Sequence, residues 1–269
     1  MNTLLWKRRL GRLYPTPSPK ERRVILIYHA VGRGPEALAS DRFVEQVQWL
    51  KNHCEVVPLD MILNTSKANT KIQVALTFDD GYESVYRLAA PILAQEKMPA
   101  TAYLNTGWIA DSINTRKASR VDLGHTAGEN FMIWDEVQAL VRQGWEIGSH
   151  GVEHLDLTQQ SLETIKTELR QSKKDIELRL HKECAHFCYT WGRYHPALKQ
   201  AVAEAGYRSA VAAHHAPMTV TEDRFALPRL HVANEYTMAD FEHIVNGKWD
   251  FLNLVQRVKK VSSQVIYSR

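Results

Sequence analysis

The sequence lacks the features that would place it among membrane-spanning, disulfide-rich or dinucleotide-binding proteins. No apolar run approaches the roughly 20 residues that a membrane-spanning helix needs, and no G-x-G-x-x-G motif follows the first predicted strand. The 269 residues include only 3 cysteines, which cannot all pair within one chain. Cys184 and Cys188 have no second cysteine pair with which to form a zinc ribbon, so we expect reduced thiols.

The net charge is also small, and much of the excess of basic residues lies near the N-terminus. The formal net charge is only +4, so no general nucleic-acid surface is expected. Residues 1–22 are basic but have neither the apolar core nor the cleavage site of a secretory signal. We therefore expect a frayed basic tail and a cytoplasmic protein. Leucines and Trp6 among the basic residues leave a second interpretation open, in which this segment lies peripherally on the inner face of a membrane.

From residue 23 onward, strand and helix patterns alternate. The apolar run Val24–Tyr28 predicts a buried strand, and the spacing of apolar residues over 40–53 predicts a helix. Further strands are predicted at 56–58, 72–78, 100–104, 145–149, 187–189, 209–213 and 227–232, and further helices at 84–97, 134–143, 161–180, 196–205, 238–247 and 250–260. This alternation is typical of an α/β protein with a mainly parallel sheet. With about seven strands in one domain, a (β/α) barrel over 23–269 is favoured, with a polar loop insertion near 105–130.

Ionisable residues follow several of the predicted strands. His29 follows the first, Asp79 and Asp80 follow a second, and His150 follows a third, with His154 four residues later. Because the carboxyl ends of parallel barrel strands share one face, these side chains are expected to lie together. Two histidines and one carboxylate would make a three-ligand site for zinc or another divalent transition metal.

The adjacent carboxylates need an explanation, since like charges repel and are costly to desolvate. A metal ion supplies one: one carboxylate would ligate the ion, and the other would take a proton from water. Gly81 permits the turn that separates the two side chains. The alternatives are a surface Asp-Asp-Gly turn for the carboxylates and packed, hydrogen-bonded histidines.

In this order and spacing, TFDDGY (77–82) and SHGVEH (149–154) resemble the polysaccharide deacetylase family, also called the NodB-homology or carbohydrate esterase 4 family. The segments ILIYHAV, WDEVQALVRQGWEIGSH and WGRYHPALKQAVAEAGYRSAV are similar as well, and the likeness covers about residues 24–232. LIYHA near the start is similar to the permuted exopolysaccharide deacetylase branch. The resemblance implies a distorted (β/α) barrel of about seven to eight units and metal-dependent removal of acetyl groups from N-acetylated sugars.

By position, the resemblance implies that Asp79 is the general base. It implies that Asp80, His150 and His154 ligate a divalent ion, with zinc the first choice and cobalt, nickel or iron the alternatives. It also implies that a histidine acts as the general acid that protonates the departing amine.

That general acid and several residues around it depart from the usual family pattern. We expect the acid to be His29, in LIYHA, with His231 as the alternative. Cys188 stands where an arginine commonly orients the base, and Arg229 or Arg193 is expected to supply that charge.

The segment FCYTWG (187–192) replaces the more usual RPPYG or YPYG. A backbone N–H near Tyr189 is expected to stabilise the oxyanion. Trp191 is expected to stack on a sugar ring, with core packing as the alternative. Tyr189, Trp191 and Arg229 are thus the candidate substrate-binding residues.

The expected substrate is an N-acetylated sugar in a glycan, or in a lipid-linked or nucleotide-linked precursor, and the products are acetate and a free amine. Two alternatives stay open. One is a related hydrolase of a non-sugar C–N bond or an O-acetyl ester, and the other is an inactive barrel that binds glycan. Neither the exact sugar nor the oligomeric state follows from the sequence.

Overall fold

A computed structural model describes residues 3–34, 37–64, 70–219 and 222–255. These residues form one 8-stranded sheet with the order β7-β6-β5-β4-β3-β1-β8, and β2 pairs with β3 off this path. Every pairing between the named strands is parallel. The strands are β1 Arg23–Tyr28, β2 Cys54–Val56, β3 Ile72–Phe78, β4 Thr101–Leu104, β5 Glu146–Ser149, β6 His186–Cys188, β7 Ser209–Val211 and β8 Leu230–His231.

The two edges of this sheet are joined by the segment that contains β8. Leu227 bridges Val211 in β7, whereas Leu230 and His231 pair with β1. Because one short segment contacts both edges, the sheet closes into a distorted barrel, as predicted. The predicted strand 227–232 pairs on two different sides along its length, which explains why β8 itself has only 2 residues.

Helices cover the outer face of the sheet, except for Leu59–Asn64 (α3), whose Leu59 and Ile62 cluster with Ile25 and Tyr103 on the inner face. The helices are α2 Ser40–His53, α3 Leu59–Asn64, α4 Ala90–Gln95, α5 Trp134–Arg142, α6 Leu162–Leu180, α7 Pro196–Glu204 and α8 Met238–Val245. Residues 251–255 are also helical, and the rest of the helix predicted at 250–260 lies outside the described residues. None of the described helices is long and apolar enough to cross a membrane.

Two of the predicted elements differ from the structure close to a proline. The helix predicted over 84–97 begins as a π-helical turn, Val85–Ala89, before α4. Pro91 has no N–H for a bond to the preceding turn, and its ring crowds the carbonyl of residue 87. The strand predicted at 56–58 ends instead at Val56, two residues before Pro58.

The core has two parts, one on each face of the sheet. All residues of β1 and β3 are buried, as expected for strands with helices on one side and the barrel interior on the other. Val24, Leu26 and Tyr28 belong to the layer beneath the helices. Ile25 of the same strand clusters with Tyr103 and other residues of the barrel interior.

The expectation of a frayed N-terminal tail is wrong for Thr3–Leu13, which form helix α1. Arg8 pairs with Asp240 of α8, with Nη2 and Oδ2 2.6 Å apart. The Trp6 ring packs edge to face on Phe251, with centroids 5.8 Å apart. These partners lie more than 200 positions away along the chain, so no local pattern in the tail reveals them.

The polar insertion over 105–130 consists of loop and three short 3₁₀ turns, Thr106–Trp108, Ile113–Thr115 and Val121–Leu123. It packs over the carboxyl end of the barrel. There the Thr126 N–H donates to the hydroxyl of Tyr82, 2.7 Å away, and Tyr82 is fully buried. The insertion therefore helps to form the cavity at this end.

Candidate active site

The carboxyl ends of the strands surround a cavity of about 530 Å³. Residues that follow strands β1, β3, β5, β6 and β8, together with the insertion, line its walls. Among the lining residues are His29, Asp79, Asp80, Gly124, Thr126, His150, His154, Trp191, Arg229, His231 and Glu235. The predicted convergence of strand-end residues is therefore confirmed, and Tyr189 is absent from this lining.

Asp80, His150 and His154 form a compact, buried cluster. The Nε2 atoms of both histidines lie 3.4 Å from the same oxygen, Oδ1 of Asp80. All three ligand atoms lie within 4.8 Å of one another. Burial alone raises the pKa of Asp80, but the His150 hydrogen bond and the charge of His154 outweigh it and hold the pKa below its usual value.

The other ring nitrogen of each histidine is fixed by a backbone carbonyl. Nδ1 of His150 lies 2.8 Å from the oxygen of Cys188, and Nδ1 of His154 lies 3.1 Å from the oxygen of Leu123. Because a carbonyl only accepts, each Nδ1 carries a proton, and the Nε2 atom of each ring faces Asp80. With a cation in place, each ring would be neutral and would offer the lone pair of Nε2. Two imidazole lone pairs and a carboxylate meeting at one point fit a divalent cation.

The backbone at this cluster is held in an unusual conformation. Asp80, His154 and Trp191 have positive φ angles of 73°, 59° and 53°, a region that costs free energy for residues with a side chain. The Nδ2 of Asn105 lies 3.4 Å from the backbone oxygen of Asp80 and supports this turn. Sequence reasoning missed Asn105, although it too is the polar residue that directly follows a strand.

Asp79 lies beside this cluster, with a carboxylate oxygen within 4.8 Å of a ring nitrogen of His150, and it is held by Arg229. The two side chains form a bidentate pair, with Oδ1–Nη1 2.7 Å and Oδ2–Nη2 2.8 Å. Burial raises the pKa of Asp79, but the charge and hydrogen bonds of Arg229 outweigh burial, so the net pKa lies below its usual value. Asp79 is therefore ionised at neutral pH.

Arg229, rather than Arg193, supplies the positive charge that faces Asp79. Arg193 instead pairs with Asp156 near the surface, at 2.6 Å. The assignment of Arg229 to substrate binding is wrong, because its donors are used within the protein. They reach Asp79, Thr77, the Ala212 carbonyl and the Cys188 sulfur.

Cys188, at the position where an arginine was expected, takes part in the same network without a charge. Its sulfur lies 3.4 Å from Oδ2 of Asp79 and 3.0 Å from Nη2 of Arg229. Burial raises the pKa of the Cys188 thiol, so the thiol stays protonated and can donate to Asp79. The arginine that orients Asp79 is therefore Arg229, on the segment that closes the barrel, and not a residue at position 188.

The two candidate general acids lie side by side. His29 follows β1 and His231 ends β8, and their ring centroids are 6.2 Å apart. His29 is half-buried and His231 is exposed. Both line the cavity, so position alone does not choose between them.

The structure separates the two aromatic residues predicted to meet the substrate. The Tyr189 N–H donates to the Val211 carbonyl at 3.1 Å, and its hydroxyl donates to the Phe225 carbonyl at 2.9 Å. The N–H of Tyr189 itself is therefore not available to an oxyanion, because it is already used in continuing the sheet. A role for a neighbouring backbone N–H stays a prediction. Trp191 is 45% exposed, and its ring lies 4.9 Å from that of His154; the core-packing alternative for Trp191 is wrong.

Comparisons with known proteins find similarity over the segments that form this site. Residues 66–210 match the family model described as polysaccharide deacetylase. The putative polysaccharide deacetylase YxkH of Bacillus subtilis (strain 168) is 25% identical over 214 residues, which cover 78% of this chain and 71% of that protein. A poly-beta-1,6-N-acetyl-D-glucosamine N-deacetylase of Staphylococcus aureus (strain MRSA252) is 24% identical over 231 residues, which cover 80% and 72%.

Solved structures share the fold. The deacetylase PplD of Streptococcus pyogenes superimposes with a TM-score of 0.71 and 22% identity, covering 85% of this chain and 99% of that one. IcaB from Ammonifex degensii gives 0.69 and 19%, covering 85% and 97%. The family model spans more than half of the chain and includes both the TFDDGY and the SHGVEH segments. The chain therefore belongs to the polysaccharide deacetylase family.

Proposed function

We propose that this protein is a metal-dependent N-deacetylase that hydrolyses the acetamide of an N-acetylated hexosamine in a glycan or glycan precursor. One observation carries the proposal: Asp80, His150 and His154 surround a single point, and Asp79 lies beside them, ionised and fixed by Arg229. One relative, the poly-beta-1,6-N-acetyl-D-glucosamine N-deacetylase of Staphylococcus aureus, supports this class of substrate.

The donor set suits zinc best, with cobalt, nickel or iron as alternatives, because it combines two imidazole nitrogens with one carboxylate oxygen. When bound there, the ion would polarise the acetamide carbonyl and make a water molecule more acidic. The protein holds the ligands for that ion in place through the carbonyls of Cys188 and Leu123.

Asp79 would accept the proton of the attacking water. Arg229 keeps it ionised, and Arg229 and the Cys188 thiol together use three of the roughly four lone-pair sites of the carboxylate, which leaves one for the water proton. Arg229 thus acts as a positioning residue, setting both the orientation and the proton affinity of the base.

His29 would donate a proton to the sugar nitrogen as the C–N bond breaks, which gives acetate and a free amine. His29 lines the cavity, and the likeness of its LIYHA segment to the permuted exopolysaccharide deacetylase branch favours it over His231. The indole of Trp191 offers an exposed apolar surface at the same cavity, as stacking on a pyranose ring requires.

The proposal is tested by acetate release from soluble N-acetylglucosamine oligosaccharides with zinc supplied. We expect Asp79→Asn to remain folded, to retain zinc by elemental analysis and to lose turnover. Asp41→Asn, an exposed aspartate in α2, is the matched control and should keep wild-type rates. Undiminished acetate release by Asp79→Asn would refute the assignment of the base.

The substrate class is tested separately with the wild-type protein. Release from an O-acetyl ester or a non-sugar amide, with none from N-acetylated sugars, would favour the related hydrolase instead. Zinc binding without release from any acetylated compound would favour a barrel that only binds glycan.

A further inference from the structure

The outward face of helix α1 combines exposed leucines with exposed arginines. Leu5, Leu10 and Leu13 are 49%, 46% and 84% exposed, and Arg9 and Arg12 are exposed as well. At 100° per residue these five positions fall on one side of the helix. An apolar and basic face of this kind is typical of helices that lie in the interface of a membrane.

The opposite face of α1 is firmly attached to the protein. In addition to the Arg8–Asp240 pair, Lys7 Nζ lies 3.2 Å from the hydroxyl of Tyr236. A side chain at Gly11 would come within 2.6 Å of the Trp249 ring, so the helix backbone packs closely there. The leucines are therefore exposed on an anchored helix.

We propose that this outward face of α1 binds the surface of a membrane that contains anionic lipids. The leucines would enter the headgroup region, and Arg9 and Arg12 would bind lipid phosphates. A second copy of the chain fits the face less well, because a symmetric contact would bring the arginines of both copies together. This inference goes beyond the proposed function and does not depend on it.

Attachment through α1 would bring the cavity close to the bilayer. Tyr236, which accepts the Lys7 hydrogen bond, follows Asn234 and Glu235 in the cavity wall. Its ring centroid lies 6.5 Å from that of His231. Helix α1 therefore contacts a residue that directly follows the cavity wall, an arrangement that suits an acetylated glycan held at the membrane.

The test is sedimentation of the full chain with vesicles of phosphatidylcholine, with or without phosphatidylglycerol. We expect the wild type to bind only vesicles that contain phosphatidylglycerol, and less at high salt. Arg9→Gln/Arg12→Gln should lower the partition coefficient about 30-fold, and Leu10→Ser/Leu13→Ser should lower it about tenfold or more. Leu162→Ser/Leu178→Ser, at two exposed leucines of α6, is the matched control and should bind as the wild type does.

Several outcomes would overturn the proposal. They are an absence of binding to either vesicle, an equal loss in the α6 control, and a dimer in light scattering that the α1 leucine variant abolishes. Circular dichroism and acetate release from soluble oligosaccharides should be unchanged in the α1 variants. Because vesicle binding is measured without substrate, a failure here is distinct from a failure of the proposed enzymatic activity.

Discussion

Replacing Arg229 by methionine is the most discriminating test of how the site is built. The arginine is 1% exposed and forms a bidentate pair with Asp79. Methionine fills much of the same volume but leaves the carboxylate buried without its counter-charge. Removing one partner of a buried ion pair costs about 3–5 kcal/mol of unfolding free energy. For 269 residues, with about 2.1 cal/mol/K of unfolding entropy per residue, this lowers Tm by about 5–9 °C.

The measurement is thermal and denaturant unfolding of a double-mutant cycle. Asp79→Asn/Arg229→Met removes both charges, so it should be more stable than the sum of the single losses predicts, by about 1–3 kcal/mol. Arg193→Met is the matched control, because its pair with Asp156 has an arginine side chain that is 61% exposed. That change should cost no more than about 1 kcal/mol.

The same substitution should change the pH dependence of the activity. In the wild type, Arg229 holds the pKa of Asp79 below its usual value against the effect of burial. Without Arg229, burial is less opposed, the pKa rises, and Asp79 becomes protonated at a higher pH. The acid limb of the kcat/KM profile should therefore shift to higher pH, while that of Arg193→Met stays in place.

Three results would refute this reasoning. They are an Arg229→Met protein as stable as the wild type, a cycle with no coupling energy, and an acid limb that does not move.

The remaining predictions concern the metal and the cavity. Because a metal that binds only the folded state stabilises it, a chelator should lower the wild-type Tm and added zinc should restore it. His154→Ala should show neither effect. A full zinc response in that variant would contradict the role of His154 as a ligand. His29→Ala should slow acetate release about 10²–10⁴-fold with its zinc content intact, while His231→Ala stays near the wild-type rate; the reverse order would make His231 the acid. Trp191→Ala should raise KM for oligosaccharides several-fold, about 0.5–1.5 kcal/mol, and an unchanged KM would contradict stacking.

Local patterns in the sequence were enough to predict the scaffold. Helix α2 has the predicted bounds, Ser40–His53, and β3 has the predicted bounds, Ile72–Phe78. Both predictions depend on the spacing of apolar residues within a single helix or a single strand. The meeting of Asp80, His150 and His154 could also be predicted, because parallel strands place their carboxyl ends on one face.

Contacts between distant segments could not be predicted in the same way. Arg229 and Arg193 are both arginines near the end of the barrel, and only the crossing of the closing segment directs Arg229 at Asp79. A backbone N–H near Tyr189 was expected to stabilise the oxyanion, yet the N–H of Tyr189 itself pairs with the Val211 carbonyl. Nothing in the residues themselves shows which donors the neighbouring strand will use.

By itself, the sequence determined the family, the alternation of strands and helices along the chain apart from α1 and α3, and the side chains that end several of the strands. These depend on residue type and on spacing over a few positions. Only the tertiary structure decided which arginine holds the base, which carbonyls fix the two ligand histidines, and that the basic N-terminus is a docked helix. Each of those depends on two segments far apart in the chain that meet only when the barrel closes.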